Sequence, residues 1–85
     1  MNFRISDHPK AECERRQIPL EVLQSILNNP DQILPAERER SVYQSKVQFG
    51  DKIYLIRVIV DENEFPAVVI TVYRTSKIEK YWSES

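Results

Sequence analysis

Glycine is almost missing from this chain: Gly50 is the only one in 85 residues. A nucleotide-hydrolase phosphate loop needs several glycines at fixed spacing so that the backbone can approach the phosphates, and those enzyme classes are excluded. Cysteine and histidine are as scarce. Cys13 has no partner for an internal disulfide, and Cys13 with His8 cannot close a zinc site without several carboxylates. Neither a metal nor a cofactor is therefore expected, and a metal-dependent enzyme lacks its ligands. No apolar run approaches the ~20 residues that span a bilayer. The head, Met1-Asn2-Phe3-Arg4-Ile5-Ser6-Asp7, lacks the apolar stretch of a signal peptide. A membrane partner is not expected, and the cytoplasm is the expected compartment. Positive charge is not in excess either. Twelve basic against thirteen acidic side chains give a net charge of −1, which argues against nonspecific coating of nucleic acid.

What is present fits one small globular domain over residues 1–85. With 41% hydrophobic and 29% charged residues the chain is neither disordered nor membrane-like, and its length leaves no room for a second core. Acids crowd into Asp61-Glu62-Asn63-Glu64, whereas Arg15, Arg16, Arg57, Arg74, Lys77 and Lys80 lie elsewhere. If the acidic loop stands apart from the basic groups, a local positive patch survives.

Asn2 to Ile5 reads as a short edge strand ended by Ser6-Asp7. Pro9 suits a first helical position, where its missing N–H is not needed, and the helix runs to about Arg16 with Pro9, Cys13 and Arg16 on one stripe. Ile18-Pro19 breaks it. Leu20, Leu23, Ile26 and Leu27 give a second helix its apolar face, and Asn28-Asn29-Pro30 ends that helix. Residues 31–41 read as a connector whose run Glu37-Arg38-Glu39-Arg40 is a solvated face. A strand from Ser41 to Phe49 turns at Gly50-Asp51 into a second from Lys52 to Val60. That two-residue loop pairs Gln44 with Arg57 and Lys46 with Leu55. Tyr43, Ser45 and Val47 then share the core face with Tyr54, Ile56, Val58 and Val60, while Gln44, Lys46, Gln48 and Arg57 stand on the other. A third long strand covers Ala67 to Tyr73. With Val68, Ile70 and Val72 turned to the core, Thr71 and Tyr73 join Arg57, and a slip of one residue would reverse this. A last helical turn follows, capped by Thr75 or Ser76 and packed through Ile78, Tyr81 and Trp82. The sum is an α+β fold with two N-terminal helices on one face of a small antiparallel sheet and a short C-terminal helix.

Three residues carry candidate chemistry. His8 stands at a helix N-terminus, where the helix dipole disfavours the imidazolium. A neutral imidazole there suits proton abstraction from a ribose 2′-hydroxyl. The structural alternative is that it caps the helix or packs on the first strand. Arg16, on the inner stripe, needs a carboxylate, carbonyls or a bound anion; Glu12, four residues earlier, offers a bracing ion pair in place of a phosphate. Arg57 interrupts the apolar strand Ile53-Tyr54-Leu55-Ile56-Arg57-Val58-Ile59-Val60. It must therefore stand on an open face or find a partner such as Gln44 or Thr71, where it would suit a phosphate or oxyanion. Tyr73 is placed to stack on a base or to flank the core, and Lys77 lies close by in sequence.

The runs Ser6-Asp7-His8, Arg16-Gln17-Ile18, Asn29-Pro30-Asp31, Val42-Tyr43-Gln44-Ser45-Lys46 and Thr71-Val72-Tyr73-Arg74-Thr75-Ser76-Lys77-Ile78, taken together, resemble a family of small bacterial domains abundant in cyanobacteria. The likeness spans nearly the whole chain. That family is distantly similar to the RelE and BrnT toxins, ribonucleases paired with antitoxins. The resemblance implies a RelE/BrnT-like sheet with helices on one side, and it sets His8 and Arg16 at recurring histidine and arginine positions. It implies a metal-independent RNA endonuclease of a toxin–antitoxin system. Joined to the reading of the residues themselves, His8 would serve as general base or acid, Arg16 and Arg57 would hold the scissile phosphate, and Tyr73 and Lys77 would be substrate contacts. RNA or the ribosome would be its target and an antitoxin protein its partner. Two departures stand out: Pro9 replaces a small alanine-like residue, and Glu12 stands where a basic residue is common. Both favour the alternative of a non-catalytic interaction module that keeps the toxin fold and pairs with another chain or with itself as a homodimer.

Overall fold

The first helix owes its ends to backbone chemistry rather than to its apolar content. The structure, a computed structural model, describes residues 2–84. In it β1 (Phe3–Ile5) leads through Ser6, the N-cap, into α1 (Asp7–Arg15). The helix starts at Asp7 rather than at Pro9. Pro9 still falls in the first turn, where backbone N–H groups have no helical acceptor, so the proline costs no hydrogen bond. At the other end Gln17 adopts the left-handed region, φ 57°. Its N–H donates to the Glu14 carbonyl at 3.2 Å, and the Ile18 N–H donates to the Cys13 carbonyl at 2.8 Å. This is a Schellman cap, built on glutamine where glycine would be unstrained. It buries Ile18 beside Cys13 and leaves Pro19 to start α2 (Leu20–Asn28). Leu23, Ile26 and Leu27 of α2 are buried as the periodicity requires, while Leu20 stays 43% exposed.

One five-stranded sheet receives both helices, in the order β1-β5-β4-β3-β2, with β2 at Gln32–Pro35. Its long strands are β3 (Ser41–Phe49), β4 (Lys52–Asp61) and β5 (Ala67–Thr75), and α3 (Ile78–Tyr81) follows them. The β3–β4 register is the one that the two-residue loop dictates, with Gln44 opposite Arg57 and Lys46 opposite Leu55. Gly50, at φ 63°, supplies the positive dihedral of the turn.

The two edges of the sheet depart from the sequence reading. Residues 32–35, expected in a connector, form the edge strand β2 (Gln32–Pro35), antiparallel to β3. β1 lies on the opposite edge and runs parallel to β5, so the sheet is mixed rather than wholly antiparallel.

The core lies between the helices and one sheet face. Cys13, Ile18, Leu23, Ile26 and Leu27 meet Tyr43, Ile56, Val58, Val60, Val69 and Val72 there. On β5 the expected alternation holds only in part. Val72 faces the core, and Thr71 and Tyr73 share the Arg57 face. An irregularity between Ile59 and Val60 then moves Val69, not Val68 or Ile70, opposite Val60. One extra residue in a strand reverses the facing of every side chain beyond it.

Candidate functional site

Strand alternation sends Arg57 to the sheet face away from α1 and α2, because its neighbours Ile56 and Val58 belong to the core. Its guanidinium is held by uncharged partners. Nε donates to Gln44 Oε1 at 2.9 Å, and Nη1 donates to the Tyr73 hydroxyl oxygen at 2.6 Å. The Tyr81 ring lies beneath it, 4.2 Å from the guanidinium carbon to the centroid, and Tyr73 meets Tyr81 edge-on at 6.5 Å. Gln44 is fully buried and also donates to Gln32 Oε1 at 2.8 Å.

Leu55 shares this outer face and is 0% exposed, so something must cover it. The C-terminal segment lies over this face on either side of Leu55: Tyr81 stands over Arg57, and Lys46, paired with Leu55, sets its Nζ 4.1 Å from the Trp82 ring centroid.

Beside Arg57 opens a groove of about 460 Å³, walled by the 35–38 turn, Arg40, Val42 and Ile59. Arg38 in that turn and the following Glu39 both hold φ 59°, a conformation that costs a non-glycine residue about 1 kcal/mol or more. Among the described residues every ion pair converges on Glu12, and Arg38, Arg40 and Arg57 have none. A guanidinium fixed by neutral acceptors keeps its whole charge. Bordering an open groove lined by two further arginines and one carboxylate, Glu37, it offers an oxyanion a fork of donors.

His8 and Arg16 stand elsewhere. His8 is 67% exposed on α1, with Nε2 3.9 Å from Glu12 Oε1. Arg16 Nε donates to Glu12 Oε2 at 2.9 Å, and Arg15 donates to Glu12 Oε1. Glu12 is nearly buried, and the Arg16 and then the Arg15 hydrogen bonds hold its carboxyl below the usual range. The bracing ion pair open to Arg16 from its sequence is therefore formed. His8 and Arg16 belong to the helix layer and Arg57 to the outer face, with the sheet between them.

Of the expected substrate contacts, Tyr73 joins Arg57 directly. Lys77 is exposed at the N-cap of α3, where its backbone N–H donates to Thr75 Oγ1 at 3.0 Å. Gln32, Tyr81, Arg38 and Arg40 complete the surroundings of Arg57. The pairing across the hairpin announces Gln44 in the sequence; nothing local announces the others.

Of the acidic loop, Glu62 turns to the helix side, whereas Asp61, next to the core residue Val60 at the end of β4, falls on the Arg57 face. Glu62 accepts hydrogen bonds from Ser41 and, at 2.6 Å, from the Tyr43 hydroxyl on the helix side of the sheet. Among the described residues, no helix is long and apolar enough to cross a membrane. In comparisons with known proteins the chain matches no protein-family model, no curated protein and no solved structure.

Proposed function

We propose that this chain is a toxin-like, RNA-directed domain of the cytoplasm that meets the RNA backbone at the sheet face around Arg57. One observation carries the reading: Arg57 is positioned by Gln44 and Tyr73 without being neutralised, at the edge of a groove that also holds Arg38 and Arg40. Phosphate oxygens are the partners that such a fork-shaped donor set fits. Tyr73 and Tyr81 add aromatic faces of the kind on which unpaired bases stack.

The resemblance of the sequence to a small bacterial family that is itself distantly similar to RelE- and BrnT-type toxins makes metal-independent RNA cleavage the activity to test; Arg57 would then hold the scissile phosphate and its developing charge. His8, on the other side of the sheet, does not reach that phosphate within one chain. The separation of His8 from Arg57 favours the second reading, an interaction module with the toxin fold that binds RNA or an antitoxin-like partner without cleaving.

Tight induction in bacteria, followed by growth and bulk RNA integrity, tests both. Wild type, His8→Ala and Arg57→Met are compared at matched soluble levels. Arrest with cleaved RNA in wild type and His8→Ala, abolished in Arg57→Met, is the result expected of the nuclease. Intact RNA in all three selects the interaction module. Cleavage that survives in Arg57→Met and is lost in His8→Ala would move the site to α1 and refute the reading.

A further inference from the structure

A chain of side-chain amides ties the C-terminal segment to Arg57, and its direction is forced. A guanidinium only donates, so the Gln44 amide must turn its oxygen toward Arg57 Nε. Its NH₂ group then points away and donates to Gln32 Oε1 at 2.8 Å and to the Tyr81 carbonyl at 3.2 Å. Gln32 is thereby oriented as well: its NH₂ donates to the Ser83 carbonyl at 2.7 Å, and its oxygen accepts the Ser83 N–H at 3.1 Å. Reversing either amide would set donor against donor. With Gln44 wholly enclosed, water could not repair the mismatch. Among the described residues no buried side-chain polar atom is left unpaired, so the present orientation satisfies every member.

We infer that Gln44 is a positioning residue: it aims Arg57 at the groove and, through Gln32, makes that aim one equilibrium with the docking of residues 81–83. The relay stands on these hydrogen bonds alone; its consequence for RNA rests on the proposed reading of the Arg57 face. Coupling of this kind is reciprocal. A fixed Arg57 favours the docked segment, and the docked segment sets the Tyr81 ring under the guanidinium and holds Gln44 in place.

The chain's one tryptophan, Trp82, lies in this segment, so acrylamide quenching of its fluorescence reads docking directly. Without any ligand, Arg57→Met and Gln32→Ala each raise the quenching constant toward that of the urea-unfolded chain while circular dichroism stays native. Lys46→Ala, which touches the ring but not the relay, changes it less. If Arg57→Met fails to fold, Arg57→Lys, which keeps the charge but loses the Nε donor to Gln44, takes its place, because Gln32 bonds Ser83 directly. A ten-nucleotide single-stranded RNA then binds Gln32→Ala about fivefold more weakly than wild type, the worth of roughly one hydrogen bond, although Gln32 is no part of the groove wall. Native quenching in folded Gln32→Ala overturns the inference whether or not RNA binds. Raised quenching with no RNA binding by any form upholds the relay and removes the RNA reading of the face.

Discussion

Glu12 gathers Arg15, Arg16 and, at longer range, His8 around one carboxylate, and that makes its ionisation a contribution to folding. Its folded pKa lies below the ordinary 4.5, through hydrogen bonds from Arg16 first and Arg15 second. A depressed acid stabilises the fold fully above its unfolded pKa, and the gain disappears as pH falls through the folded value. Glu62, lowered by Ser41 and then Tyr43, adds a contribution of the same sign. Urea midpoints should therefore drop below about pH 4.5, with a shallower drop in Glu12→Gln. An unchanged acid limb in that variant would remove Glu12 from the account. Tyr43 behaves in the opposite sense. Burial, and then the Glu62 carboxylate, push its phenol from 10.0 up to about 12. The neutral phenol stabilises the fold fully below pH 10, and that contribution is lost as pH rises through 12. In an absorbance titration the Tyr43 phenol should ionise late, and Tyr43→Phe should remove that late step.

At the scale of elements, the Schellman cap of α1 offers a clean test, because Gln17 occupies a position that glycine adopts without strain. Gln17→Gly should raise stability by roughly 0.5–1 kcal/mol in urea unfolding; a loss would mean that the Gln17 side chain contributes more than its backbone costs. The hairpin was legible in the sequence for a mechanical reason: a two-residue loop and period-two alternation fix one register, and Gln44 opposite Arg57 follows. β2 was not legible. Gln32-Ile33-Leu34-Pro35 is short and ends in proline, and what makes it a strand is its ladder to β3 and the amide pair between Gln32 and Gln44. The facing of Val68 and Ile70 was lost to an irregularity that no local residue announces. The site divides along the same line. Arg57 declares itself as a charge inside an apolar strand, whereas Tyr81 and Gln32 reach it across long sequence separations that only the fold closes.

Over the whole molecule the net charge of −1 conceals a partition. Glu12 neutralises arginines on α1, and Glu62 is tied to the helix side by Ser41 and Tyr43. The outer face keeps Lys46 and Arg57, with Arg38 and Arg40 at its groove, and among the described residues none of these four side chains forms an ion pair; Glu37 also lines the groove, and the Lys46 backbone N–H donates to Asp31 Oδ2 at 3.0 Å. On the proposed reading, a chain with no excess of positive charge would hold a polyanion at one face through positioned cations rather than bulk attraction.

The most direct test is a fluorescence-anisotropy titration of labelled single-stranded RNA with wild type, Arg57→Met and Arg16→Ala, repeated at several salt concentrations. If the Arg57 face binds RNA phosphate, Arg57→Met weakens binding about tenfold or more and lowers the salt slope by about one, while Arg16→Ala stays within a factor of about two. Equal affinities for wild type and folded Arg57→Met, or a loss confined to Arg16→Ala, would contradict it.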